Sequence, residues 1–129
     1  MTPLILAARQ GHQDVVEMLI TRGANMLAVD AEGLSALNWS ALQGHEQCVR
    51  SLLDHGAEVD QINNVNGRTS LEMAAFRGDL QVYKTLLRSK YMKVLKEIIL
   101  IRKTKLFFFS FLNLFKTETN KSNNKLYLF

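Results

Sequence analysis

The sequence predicts an all-α solenoid of about three helix–turn–helix repeats with hairpin connections, followed by a helical extension and a disordered tail. Three observations carry that prediction. The stretch "TPLILAARQGHQDVVEMLITRGA" at 2–24 returns 33 residues later as "SALNWSALQGHEQCVRSLLDHGA" at 35–57. Identities fall at Leu4/Leu37, Ala8/Ala41, Gln10/Gln43, Gly11/Gly44, His12/His45, Val16/Val49, Leu19/Leu52, Gly23/Gly56 and Ala24/Ala57. Leu71, Ala75, Gly78, Val82 and Leu86 continue the apolar and glycine pattern at an offset of 34, with one extra residue in "EVDQINNVNG". A fixed period of this length marks a repeat array, in which each unit buries its apolar face only against its neighbours. The third observation is a break in composition: every Gly and Ala of the chain lies before residue 88.

Each unit follows from its residues in order. Thr2, Ser35 and Thr69 precede alanine-containing apolar runs, the place for an N-cap hydroxyl that accepts from a free backbone N–H. Pro3 then occupies the first helical position, where a missing N–H costs nothing. That short helix stops at Gly11, Gly44 and Gly78, since glycine enters the left-handed C′ conformation without a Cβ clash. A second helix shows apolar residues at helical spacing: Val15, Val16, Leu19 and Ile20, then Cys48, Val49, Leu52 and Leu53, then Val82, Tyr83, Leu86 and Leu87. Gly23 and Gly56 end it, and the polar stretch running to Gly33 or Gly67 suits a hairpin turn containing Asp30 or Asp60. The units span about 2–34, 35–68 and 69–88, so residues 1–88 form the repeat domain and 89–129 a basic, aromatic tail.

This unit resembles the ankyrin repeat, whose T-P-L-H-x-A-A…G-H…V-V…L-L…G-A pattern is nearly complete in residues 2–24. The histidine of that pattern is replaced by Ile5, Asn38 and Glu72, which leaves open what bonds adjacent repeats there. More narrowly, "GLSALNWSALQGH" with "NGRTSLEMAAFRGD" is similar to the ankyrin block of the TANC scaffold family, known as rolling pebbles in flies. The resemblance implies a non-catalytic scaffold or adaptor that binds a protein partner on the concave face formed by hairpin tips and first helices. The narrower likeness implies the cell cortex, a junction or a synapse. The family pattern places the variable, partner-facing positions at Arg9, Gln10, Ala31, Glu32 and Leu34, then Leu42, Gln43, Val65, Asn66 and Arg68, then Phe76 and Arg77. Leu42 and Phe76 are either partner anchors or seals between repeats. Trp39, in the place of Leu6 and Met73, is core or a further anchor.

Nothing in the chain assembles a catalytic constellation. His12, His45 and His55 form no i, i+4 metal pair, and no phosphate loop, nucleophile elbow or carboxylate dyad is present. No cofactor, metal or small-molecule substrate is expected. Cys48 occupies an apolar helical slot as a small hydrophobe. As the one cysteine it forms no intramolecular disulfide and points to a reducing, cytoplasmic setting.

The net charge of +4 averages two unlike parts. Residues 1–87 balance to −4 and residues 88–129 to +8, so the basic character belongs to the tail. "YMKVLKEIILIRK" is helical in propensity, and no breaker separates it from Asp79, so the last helix is expected to run past Arg88. "LFFFSFLNLF" is ten residues, short of the roughly 20 a membrane span needs. "KTETNKSNNK" reads as disordered. A tether to a membrane surface through 91–115 is the alternative function. A nucleic-acid arm is not expected, for want of a dense basic cluster. The Lys, Asn, Phe, Leu, Ile and Tyr bias also fits AT-rich noncoding DNA translated past an exon boundary. Because the chain starts inside a T-P-L triplet, a fragment of a longer array is expected, with Leu4, Ile5 and Leu6 partly uncovered.

Overall fold

The computed structural model describes residues 1–119, with side chains for 1–105 and for Asn113. Six helices follow one another: α1 (Pro3–Gln10), α2 (Gln13–Thr21), α3 (Ala36–Gln43), α4 (Glu46–Asp54), α5 (Ser70–Arg77) and α6 (Leu80–Thr119). The first helix of each repeat starts where a hydroxyl can close it. Thr2 Oγ1 accepts from the Ile5 N–H at 3.1 Å, Ser35 Oγ from that of Asn38 at 3.2 Å, and Thr69 Oγ1 from that of Glu72 at 3.3 Å. At Ser35 the cap is reciprocal, because Asn38 Oδ1 accepts from the Ser35 N–H. Gly11, Gly44 and Gly78 end these helices in the left-handed region, at φ 80°, 76° and 77°.

First helices pack in a row, α1 on α3 and α3 on α5, and α2 packs on α4 behind them. Ala8 and Ala41 are fully buried in the row, where a larger side chain would hold the helices apart. Val16, Val49, Val82, Leu52 and Leu86 fill the space between the two layers with no exposed surface. Val82 takes the slot of Cys48, and Tyr83 is the true counterpart of Val49. The hairpins close with antiparallel bridges Val29–Ser35 and Ile62–Thr69, which locates the extra residue of the second connection between Ile62 and Thr69. The counterpart of Asp30 is therefore Asn63, and Asp60 lies before the turn.

Two sequence expectations are corrected here. Leu4 and Ile5 are buried, in one core cluster with Leu34, Ala36 and Leu37 of the following hairpin and helix; of the three, Leu6 alone is exposed. The disorder expected of 116–125 begins too early, since α6 continues unbroken to Thr119; the remainder of that stretch lies outside the described residues. The long final helix itself runs past Arg88 as its lack of breakers predicts. The chain divides into two units, Met1–Met92, which holds all six helix starts, and Lys93–Phe129, whose described part is helical.

Candidate protein-binding groove

Hairpin geometry decides which side chains reach the concave side. Asp30 organises the first hairpin: its Oδ1 accepts from the N–H groups of Glu32 and Leu34, both at 3.0 Å, and its Oδ2 accepts from the Trp39 indole at 2.6 Å. Burial works to raise the Asp30 carboxyl, but the bonds from Leu34, Trp39 and Glu32 outweigh it and hold the group below its ordinary value of 3.8. Asn63 does the equivalent work uncharged. Its Oδ1 accepts from Val65 and Asn66, each at 2.9 Å, while Nδ2 donates to the Asn66 side chain at 2.7 Å and to the Arg68 carbonyl at 3.0 Å. The two hairpins are tied edge to edge, with Asn64 N–H donating to Gly33 O at 3.2 Å and Gln61 Nε2 to Leu27 O at 3.1 Å.

Between these hairpins and α3 and α5 lies a groove of about 230 Å³. Seven of the sequence-predicted positions line it: Glu32, Leu34, Leu42, Val65, Asn66, Arg68 and Phe76. Phe76 is 80 % exposed and Val65 68 % exposed, and the Arg68 guanidinium stands 5.3 Å above the Phe76 ring. The groove thus presents an aromatic face, an aliphatic wall and two opposite charges, Glu32 and Arg68.

The other positions lie outside it. Gln10, Ala31 and Gln43 are exposed and do not line it. Arg9 stands over Trp39, its Cζ 4.4 Å from the ring centre. Arg77 turns back, donating to the Leu42 carbonyl at 2.7 Å and standing 4.0 Å from Asp79. Leu34 is a correction: it is buried, because the Asp30 bond draws its backbone inward, so it forms the floor rather than a free contact. Of the two residues with two readings, Leu42 is half-buried against the core and Phe76 is exposed, and both line the groove. Trp39 is core, with one ring face given to Arg9. Asn63 and Met73 complete the groove and were not among the predicted positions. The 33-residue offset from Asp30 identifies Asn63.

The histidine replaced in the T-P-L-H pattern finds a substitute at one junction. Asn38 Nδ2 donates to Ser70 Oγ at 2.9 Å, wholly buried between the second and third repeats. At the preceding junction Ile5 is buried instead, as is Ala36 of the second repeat. Neither Cys48, whose thiol burial pushes up, nor any group of His, Cys, Asp and Glu among the described residues forms a metal site.

A stack of helix pairs with a hairpin-lined concave groove defines a repeat-type binding module. The chain belongs to the ankyrin-repeat family: residues 4–97 match the family described as "Ankyrin repeats (3 copies)". Among solved structures, the human ASB11 ankyrin repeat domain superposes with a TM-score of 0.64 at 34 % identity, over 69 % of this chain and 40 % of that one. Human ankyrin repeat domain-containing protein 63 is 38 % identical over 81 residues, 60 % of this chain and 21 % of that protein. A probable E3 ubiquitin-protein ligase of rice, XBOS33, is 34 % identical over 86 residues, 67 % of this chain and 16 % of that protein. The chain therefore spans about a fifth or less of these relatives' length. Ankyrin repeats are protein–protein interaction modules, generally without catalysis of their own, and the ligase name belongs to a much longer protein.

Proposed function

We propose that this chain binds a protein partner in the groove between its two hairpins and the first helices α3 and α5, with Phe76, Val65 and Arg68 as the principal contacts. The observation that carries the reading is the exposure of Phe76 and Val65 on a rigidly bonded frame. Aromatic and Arg side chains dominate binding energy when a partner desolvates them, and a hydrogen-bonded backbone frame lowers the cost of ordering the loop that carries Val65 and Arg68. The Glu32 and Arg68 charges at the groove give the partner an orientation. A lone, buried thiol in Cys48 suits the reducing cytoplasm, where this reading places the module. A cortical or junctional scaffold as parent rests on the TANC-like residues of 33–45 and 66–79 alone.

The test selects peptide binders against the full chain and compares them on Val65→Asp and Phe76→Asp, both exposed positions. Binders lost at least tenfold on both variants, with unchanged circular dichroism, support the groove. Binders indifferent to both overturn it. A second reading, attachment to an anionic membrane surface, draws on exposed Ile98, Ile99, Leu100 and Ile101 between Lys96 and Arg102. Among the described residues no helix is long and apolar enough to cross a membrane. Co-sedimentation with phosphatidylserine vesicles that is lost on deleting 93–129 would favour it.

A further inference from the structure

Asn66–Gly67 is the one Asn–Gly step in the chain, and both residues are exposed at the turn of the second hairpin. An asparagine amide carbon lies within ring-closing reach of the backbone nitrogen that follows it, which makes the residue chemically labile. After Asn25, Asn38, Asn63 and Asn64 that nitrogen belongs to Met26, Trp39, Asn64 and Val65, whose side chains crowd it. Glycine leaves it clear. The first hairpin has Glu32–Gly33 at this step, and a Cβ on Gly33 would stand 2.6 Å from the Asn64 side chain. A Cβ on Gly67 would meet nothing within 4 Å.

The Asn66 amide is also polarised by its neighbours. Its Oδ1 accepts from Asn63 Nδ2 at 2.7 Å and from the Arg68 N–H at 3.2 Å. Two donors on one carbonyl oxygen stabilise the negative charge that the oxygen takes up when a nucleophile adds to its carbon. Asn63 is itself fixed, buried and accepting from the Val65 and Asn66 N–H groups. One bond opposes the reaction: the Gly67 N–H donates to Asn63 O at 3.1 Å, and this nitrogen must give up its proton. A single bond in an exposed turn opens at small cost, and its opening removes neither donor from Oδ1.

We propose that Asn66 converts to aspartate and isoaspartate in the folded protein, with the Asn63 side chain assisting. Hydroxide takes the Gly67 N–H proton, and the nitrogen bonds to Asn66 Cγ. The Cγ–Nδ2 bond then breaks, and Nδ2 takes a proton from water and leaves as ammonia. The resulting succinimide takes up water at either ring carbonyl. Opening at Cγ gives aspartate; opening at the main-chain carbonyl gives isoaspartate. In sum a water is consumed and an ammonia released, with no other reactant. The product adds a carboxylate to the groove that Asn66 lines. Aspartate still accepts from Asn63 and Arg68, whereas isoaspartate lengthens the main chain between Val65 and Arg68. What this does to a partner rests on the groove reading above. The conversion itself does not, and mass alone reads it.

The test incubates the full chain in neutral buffer at physiological temperature and sequences the tryptic peptide 51–68 by fragment-ion mass spectrometry. Asn66 is expected to gain the mass of an amide-to-acid change well ahead of Asn63 and Asn64, with both product isomers present. Asn63→Asp supplies the residue that organises the first hairpin, Asp30, so it keeps the acceptor for Val65 and Asn66 but has no amide to donate. It is expected to slow conversion about tenfold with unchanged circular dichroism. In urea-unfolded chains the same variant should match the wild type, because Asn63 assists only within the hairpin. Asn63→Thr, whose hydroxyl accepts turn bonds more weakly, replaces it should Asn63→Asp lose its helical signal. A folded wild type that keeps Asn66 intact while the unfolded chain converts overturns the proposal. So does a folded variant that converts as fast as the wild type, or a variant slowed equally in urea.

Discussion

Asp30 shows how one carboxylate serves both the hairpin and the helix it precedes. It accepts two backbone N–H groups and the Trp39 indole, and charge-assisted bonds of this kind contribute about 1.5–3 kcal/mol each when well formed. The sequence marked Asp30 as a turn residue, because the turn bonds are local; the Trp39 bond spans nine positions and follows only from the folded geometry. Asp30→Ala is expected to cost about 2 kcal/mol at pH 7, read by urea unfolding. Since the folded state holds this carboxyl below 3.8, its stabilisation is full above that value and is lost as pH falls through the lower folded one. The difference between wild type and variant should therefore shrink on acidification; a difference constant from pH 7 to pH 3 would show that the charge plays no part. Asn38 makes the complementary case. The departure from the T-P-L-H pattern was legible, but its consequence was not, because Asn38 needs Ser70 from the next repeat to complete its bonds. Asn38→Leu leaves the Ser35 and Ser70 hydroxyls without that partner in the core and is expected to cost about 2–3 kcal/mol in the same measurement.

At the scale of the element, the helices were readable because their boundaries rest on local chemistry: a hydroxyl three residues before an N–H, and a glycine at the turn. The concave face was readable only in part. Leu34 and Phe76 are both apolar residues at the edge of a hairpin or first helix, and periodicity does not separate them. Asp30 pulls Leu34 under the hairpin, whereas Arg68 stacks over Phe76 and leaves its ring in solvent. The same dependence on neighbours distinguishes two helix-ending glycines. Gly44 and Gly78 share a left-handed backbone, so alanine costs each about 1–2 kcal/mol. At Gly44 the new Cβ would also stand 2.7 Å from Asp79 Oδ2 and 3.0 Å from Arg77 Nε. Arg77 would have to give up its bond to the Leu42 carbonyl, about 1 kcal/mol more. Gly44→Ala is thus expected to be the more damaging by that amount in chemical denaturation. Equal losses at the two sites would show that the Arg77 bond between repeats adds nothing.

For the whole molecule, stability in a repeat array is a sum over units and their junctions, so it should end where buried contacts end. The last fully buried side chain among the described residues is Leu86, and between Lys93 and Lys105 no described side chain is buried. The composition break at residue 88 marked this change, since a segment without Gly, Ala or Pro lacks both the small helix contacts and the turns of another repeat. What it did not reveal was how far α6 would run, because helical propensity has no stop signal before Thr119. Removing residues 93–129 also changes the net charge from +4 to −2, but exposed charges contribute little at physiological salt. The chain ending at Met92 is therefore expected to melt within about 4 °C of the full chain by circular dichroism, a change of less than about 1 kcal/mol for a domain of this size. It should also lose helical signal in proportion to the residues of α6 removed. A fall of 10 °C or more would mean that the second unit supplies packing the repeats need, and the boundary of the folding unit would then lie beyond Met92.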